Sequence, residues 1–283
     1  MKTIAFQGIE GANSHLACLQ FYSNHQHLAL ATFEQIFMAV DTGKVDLGLI
    51  PLENSYAGRV AEIHHLLQKY NVNIIAEHFF AVDHHLVAVK GSKINEIDTV
   101  ISHPQALMQC QDFLQTLSAQ QQQASNTAVA AQTVADYHRN TGNKNMAAIC
   151  SEMAANNHNL AILASKIQDA AKQNTTIFVA ITKKPIDIDY NTAPVITALL
   201  FTIRNIPSSL YKALGGFATN GVSIIKLESY IPGGFSQQAK FFIAIQGHPS
   251  QNNVGLALEE LGFFSKEVKL LGVYYADSHR KIS

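Results

Sequence analysis

Pro51-Leu52-Glu53-Asn54-Ser55-Tyr56-Ala57-Gly58-Arg59-Val60 packs a carboxylate, an amide, a hydroxyl, a glycine and a guanidinium into ten positions. The apolar run Val45-Asp46-Leu47-Gly48-Leu49-Ile50 precedes it. An apolar strand that opens into such a set reads as a strand end at a ligand site, because open α/β sheets bind ligands at the carboxyl ends of their strands. A plain connector rarely carries so many functional groups, although a polar surface turn is the simpler alternative. Two further stretches carry the same kinds of groups. Gly8-Ile9-Glu10-Gly11-Ala12-Asn13-Ser14 opens a helix, where free N–H groups and the dipole favour an anion. A tight turn accounts for its two glycines equally well. Asn174-Thr175-Thr176-Ile177-Phe178 leads into an apolar run and reads, taken alone, as a helix-to-strand turn.

The elements around these loops alternate. Strands are expected at Thr3–Phe6, Val45–Ile50, Val72–Ala76, Leu86–Val89, Thr99–Ile101, Met146–Cys150 and Thr176–Ile181. Thr32 and Gln35 form a capping box, and Phe33, Ile36, Phe37 and Val40 fall on one face of the helix that Gly43 ends. Val60, Ile63, Leu66, Leu67 and Tyr70 mark the inner face of another helix. Ser102 with Gln105 suggests a second capping box, with Pro104 in the first turn and a helix to about Leu117. Gln120-Gln121-Gln122-Gln123 reads as a solvated loop, and Thr127 to His138 as a helix. Strands separated by helices predict a largely parallel α/β system in two Rossmann-like lobes, arranged as in periplasmic binding proteins. Lobe 1 takes about residues 1–78 and 165–184, and lobe 2 about 79–164, with the ligand cleft between them.

Lys183 to Pro194 is polar and proline-bounded, so 185–194 is read as a linker after a domain of residues 1–184. Residues 195–275 change pattern: strand 195–203, helix from Pro207, strand 222–227, strand 239–245, helix 249–261, strand 268–275. That βαββαβ order is the ferredoxin-like arrangement.

Composition sets bounds. The chain has 283 residues, 47% hydrophobic and 14% charged, which suits two globular domains. A net charge of −1 with scattered basic residues argues against a nucleic-acid partner. No apolar run is long enough to span a bilayer, and Met1 leads directly into a strand with no signal peptide. Cys18, Cys110 and Cys150 are few and far apart, as expected in a reducing cytoplasm. His64-His65 and His84-His85 resemble metal pairs, but neighbours on a helix or strand point apart, and no metal or cofactor is expected. His103 reads as a helix-start residue or a cleft residue.

The Gly-x-x-Gly-x-x-Ser start, the Glu-Asn-Ser motif and the Asn-x-Thr-x-Phe near the domain end together resemble the prephenate dehydratase family, over essentially the whole chain. The C-terminal unit resembles that family's regulatory ACT domain, with Asn205-Ile206-Pro207-Ser208-Ser209-Leu210 at a helix start and Lys226-Leu227-Glu228-Ser229-Tyr230-Ile231-Pro232 after the second strand. The resemblance implies loss of a carboxylate and the ring hydroxyl from prephenate, giving phenylpyruvate, water and carbon dioxide without a cofactor. It makes Thr176 the essential residue, a donor to the leaving oxygen. Glu53 would supply a proton if burial raised its pKa. Ser14, Asn54, Ser55, Gly58, Arg59, Asn174, Thr175 and Phe178 would hold substrate. Phenylalanine would bind at Pro207, Ser208, Ser209 and Leu210 with Glu228 and Ser229, between copies of an even-numbered homo-oligomer, a dimer or tetramer. The family has Thr-Arg-Phe where this chain has Thr176-Ile177-Phe178, Gly-Ala-Leu-Val in place of Ser208-Ser209-Leu210-Tyr211, and Glu-Ser-Arg in place of Glu228-Ser229-Tyr230. An isoleucine cannot grip a substrate carboxylate as an arginine fork does. Arogenate as substrate, or a weakened anion-binding sensor, are the alternatives.

Overall fold

The computed structural model describes residues 1–55, 58–169, 174–230 and 239–280. Tyr56 and Ala57 of the polar loop, and Ile231 and Pro232 of the second regulatory motif, lie outside them.

The chain opens with β1 (Thr3–Gln7), α1 (Asn13–Phe21), β2 (Gln26–Leu30) and α2 (Phe33–Asp41). The expected capping box is formed: Thr32 Oγ1 accepts from Gln35 N–H at 3.2 Å, and Gln35 Oε1 accepts from Thr32 N–H at 3.3 Å. β3 (Leu47–Asn54), β4 (Gly58–Arg59), α3 (Ala61–Lys69) and β5 (Asn73–Ala81) follow. Next come β6 (His85–Val89), β7 (Thr99–Ser102), α4 (Pro104–Gln109), α5 (Gln111–Gln115) and β8 (Gln120–Gln123). α6 (Thr127–Thr141), β9 (Met146–Cys150), α7 (Glu152–Asn157), β10 (Leu160–Ala164) and β11 (Thr175–Thr182) complete this part. The C-terminal elements are β12 (Val195–Ile203), α8 (Ser209–Thr219), β13 (Ile224–Tyr230), β14 (Lys240–Gln246), α9 (Asn252–Phe264) and β15 (Ser265–Tyr275).

Among the described residues these strands form three sheets. The first runs β2-β1-β3-β11-β5, with β4 added to β3. The late strand β11 is therefore inserted beside β3. The second runs β10-β6-β9-β7-β8. It is mixed rather than largely parallel: β7 pairs parallel with β8 and β9, whereas β6 pairs antiparallel with β9 and β10. Helices α6 and α7 bury one of its faces and α4 with α5 the other, giving the three layers of an α/β unit. The third sheet, β13-β14-β12-β15, is antiparallel and carries α8 and α9 on one face in βαββαβ order.

Three local expectations are corrected. Ser102 does not cap α4; its hydroxyl donates to Ile149 O at 2.7 Å, and His103 Nδ1 accepts the Gln105 N–H instead. The helix from Pro104 breaks at Cys110 into α4 and α5. The glutamine run is an edge strand, β8, because backbone pairing with β7 requires nothing apolar of its side chains.

Packing divides the chain into two compact units. The first holds Met1–Ile36, Leu49–Val60 and Phe79–Phe178; the second holds Phe37–Gly48, Ala61–His78 and Val179–Ser283. No helix or strand lies between Thr182 and Val195, where a linker was expected, yet the units do not part there. The second unit shows why. Lys269 Nζ donates to the carbonyls of Leu67, Gln68 and Tyr70, so its cation caps the carboxyl end of α3. Arg280 grips Glu77 of β5 with two bonds of 2.6 and 2.7 Å. A Cβ at Gly272 would stand 2.0 Å from Ile74 O, so only glycine lets β15 approach β5 this closely.

Candidate active site

β3 and β11 are neighbours, so their ends bring Asn54 and Thr176 together across 122 positions of sequence. Both are buried, as is Asn174 just before β11. Asn54 Nδ2 donates to Asn174 Oδ1 at 2.8 Å and to Thr176 Oγ1 at 3.0 Å. Beside them Ser55 and Thr175 clasp each other: Ser55 N–H donates to Thr175 O at 2.8 Å, and Thr175 N–H donates to Ser55 Oγ at 3.0 Å.

The network continues into lobe residues that were not expected in it. Gln105 and Gln109, four positions apart and so on one face of α4, direct their amide nitrogens at Asn54 Oδ1, each at 3.5 Å. Gln109 Oε1 accepts from Asn174 Nδ2 at 2.8 Å and from His84 Nε2 at 2.7 Å. Each of these contacts joins a donor to an acceptor, as a buried polar cluster requires. The 3.3 Å approach of Asn174 Nδ2 to His84 Nε2 brings together two N–H groups that share Gln109 Oε1. His84 is almost fully buried, and burial lowers its pKa below 6.5 against the opposing pull of the Gln109 bond. Burial therefore favours the neutral ring, and Gln109 Oε1, which as placed can only accept, matches the tautomer that carries its hydrogen on Nε2.

One consequence is chemical. Asn54 Nδ2 can only donate, so Thr176 Oγ1 must accept. The threonine's own hydrogen has no acceptor among the described residues and is free for a bound ligand. The buried network is an arrangement of amides, an imidazole and a hydroxyl, with the Thr176 hydroxyl at its end.

The β1–α1 loop is fixed in the same unit. Gly11 has φ +84°, and a Cβ there would come within 3.2 Å of Ala154 Cα. Its carbonyl accepts from Ser151 Oγ at 2.9 Å, and its N–H donates to His15 Nδ1 at 3.1 Å. Ser14 follows in the first turn of α1, half-buried; Ala12 caps that helix without a side-chain bond.

Other expected residues lie elsewhere. Glu53 pairs across β3–β4 with Arg59, and Asn54 with Gly58. Strand alternation carries Glu53 to the face opposite Asn54. Arg59 and Gly58 are exposed. Phe178 is 2% exposed and packs edge-on against Phe80, which makes it a core residue. Ile177 lies on the face of β11 opposite Thr176 by the same alternation, so position 177 leaves no gap beside the threonine.

In the C-terminal unit Ser208 starts α8 with φ +58° and no side-chain cap. Pro207 and Ser208 are exposed, Leu210 is half-buried, and Ser209 is buried with its N–H on Ile206 O. Glu228 is 3.2 Å from His64 Nε2 and 3.1 Å from Lys226 Nζ. It faces away from α8, because its register partner Phe242 packs on His64 while Phe241 and Ile243 pack under the helices. Ser229 is exposed.

Comparison with known proteins bears on this geometry. A family model described as prephenate dehydratase matches residues 4–186. A bifunctional N-acyl-homoserine lactone acylase/prephenate dehydratase of Komagataeibacter europaeus is 38% identical over 280 residues, covering 99% of this chain and 98% of that protein. A chloroplastic arogenate dehydratase/prephenate dehydratase of Arabidopsis thaliana is 34% identical over 288 residues, covering 97% of this chain and 72% of that one. The solved structure of a prephenate dehydratase from Arthrobacter aurescens in complex with L-Phe has the same fold, with a TM-score of 0.89, 24% identity, and coverage of 99% and 92%.

Proposed function

The chain belongs to the prephenate dehydratase family, and from that membership we propose that it converts prephenate to phenylpyruvate, water and carbon dioxide. It is a lyase that cleaves a carbon–oxygen bond. The observation that carries the proposal is the donation from Asn54 Nδ2 to Thr176 Oγ1.

The reaction needs little covalent help. The bond between the ring and its carboxylate breaks and releases carbon dioxide. That electron pair enters the ring, and the ring hydroxyl departs with its own bonding pair as the ring becomes aromatic. The departing oxygen takes up one proton to become water. Thr176 donates a hydrogen bond to this oxygen as its charge develops, an oxyanion-type contribution. The proton is assigned to solvent rather than to Glu53, which faces away from Asn54. Ser14, Ser55, Asn174 and Thr175 orient the substrate, and the exposed Arg59 meets one of its carboxylates.

Arogenate is the second reading. It differs from prephenate only in an amino group where prephenate has a keto oxygen, and the Arabidopsis relative is named for both activities. Parallel assays on the purified chain decide: phenylpyruvate formed from prephenate supports the first reading, and phenylalanine formed only from arogenate replaces it.

Regulation belongs to the same proposal. Phenylalanine binds at Pro207, Ser208, Ser209 and Leu210, with Ser229 beside them, between the sheet edges of two copies in a homodimer or homotetramer. Within one chain Glu228 is already held by His64 and Lys226, so the effector carboxylate at the start of α8 is the main anchor. The enzyme works in the cytoplasm, where its three buried cysteines stay reduced. Calorimetry and sedimentation with phenylalanine test this: a chain that stays monomeric and binds no phenylalanine overturns it.

A further inference from the structure

We propose that His84 is a positioning residue that sets the direction of the hydrogen-bond chain ending at Thr176. The proposal rests on the reading that Thr176 donates to the departing oxygen.

The members between His84 and Thr176 are Gln109 and Asn54, both primary amides. An amide turned by half a revolution has the same shape, so packing cannot choose its direction; only its partners can. Were Asn54 turned, its oxygen would face Thr176 Oγ1 and capture the threonine's hydrogen. Thr176 would then have a lone pair for the ligand and no donor. Asn54 is held against this by Asn174 Oδ1, which takes its N–H, and by Gln109 Nε2, which faces its oxygen. Gln109 is an amide too, and its oxygen is fixed by the N–H groups of His84 and Asn174.

His84 differs from the amides because its direction depends on where one hydrogen sits. With the hydrogen on Nε2, the chain reads His84 to Gln109 to Asn54 to Thr176, and every step donates towards the site. With the hydrogen on Nδ1, an imidazole lone pair would face Gln109 Oε1 at 2.7 Å. Gln109 would be driven to turn, its oxygen would face the oxygen of Asn54, and the reversal would pass on to Thr176. The backbone supports the ring: His84 N–H donates to Gln168 Oε1 at 3.0 Å, and Gln168 in turn donates to Asp83. The charged or titratable groups facing the ring are Asp83 and His85 from its own segment, while α4 and the start of β11 offer it only amides. A protonated ring would keep its Nε2 hydrogen, so acid alone does not reverse the chain.

A double-mutant cycle with Thr176 separates positioning from simple support. His84→Leu should lower kcat for prephenate by roughly 10- to 10²-fold, the scale of a misplaced catalytic group, with KM nearly unchanged. His84→Gln, which can place an N–H near the same point, should restore most of that loss. In a Thr176→Val background, His84→Leu should cost nothing further. Additive losses, or wild-type kcat in folded His84→Leu, would overturn the proposal while leaving Thr176 in place; wild-type kcat in Thr176→Val would remove the reading beneath it. Imidazole nitrogen NMR of the unmutated protein decides even if a variant fails to fold: His84 should be neutral with its hydrogen on Nε2 at pH 7, and a hydrogen on Nδ1 refutes the proposal.

Discussion

Two polar clusters lie in different parts of this molecule and are built on opposite principles. In the first unit Asn54, Asn174, Thr176, Gln109 and His84 form a buried network with no formal charge at neutral pH. In the second unit the Arg280–Glu77 pair, the Glu228 carboxylate beside His64 and the Lys269 cap on α3 each bring a carboxylate or a cation to the join between the C-terminal residues and α3 or β5. Charge adds strength to these joins, and the bidentate Arg280–Glu77 pair adds geometry as well. Neutral dipoles are weaker, but each must meet one particular partner, so they fix orientation. The proposed donation by Thr176 needs orientation, and the joint between a sheet and a helix needs strength.

The comparison is broken first by removing a charge. Arg280→Ala leaves the Glu77 carboxylate buried without its bidentate partner and should destabilise by about 3–5 kcal/mol, the scale for one broken buried pair. Denaturant unfolding measures the loss, and kcat of the protein that remains folded should be unchanged. Thr176→Val should behave in the opposite way, cutting kcat by roughly 10²–10³-fold with the unfolding midpoint nearly constant. If both variants lost stability and neither lost rate, the division of labour would be wrong.

Acid should sharpen the contrast. Burial lowers the pKa values of His15, His84 and His103 in the first unit and of His78 in the second from their ordinary 6.5. The unfolded chain therefore binds protons near pH 6.5 that the folded chain refuses. Their neutral burial carries no penalty above that pH, and stability falls as pH drops through 6.5 towards the lower folded values. Melting temperatures should decline between about pH 7 and 5, and hydrogen exchange should show the first unit opening before the second. The smallest effect is expected at position 177. Ile177→Arg restores the family residue on the face of β11 away from Thr176, so kcat/KM for prephenate should change by less than about threefold. A gain of tenfold or more would mean that this face of the strand also meets the substrate.

Much of this could be read from the linear chain. The Glu53-Asn54-Ser55 loop, the glycine-rich start and Asn174 to Phe178 each lie within a few positions, and the Thr32–Gln35 box is a contact between near neighbours. So are the alternation of the β12 to β15 unit and its two helices. Such signals survive because sequence distance and spatial distance are nearly the same for them. They point to the family, to Thr176 and to the fold class. They do not show what Thr176 can do. Gln109 looks like one more polar helix residue, and His84 looks like half of a histidine pair. Ser102 and Gln105 look like a capping box, which His103 displaces by supplying a nearer acceptor. The roles of these residues appear only when β11 is laid beside β3, which brings His84, Gln109, Asn54 and Asn174 within hydrogen-bond reach over separations of 25 to 120 positions. The same holds for His64 and Glu228, and for Gly272 against Ile74. A sequence determines which donors and acceptors exist. Burial compels each of them to find a partner, and only the tertiary structure decides which partner it finds and in which direction the hydrogen points.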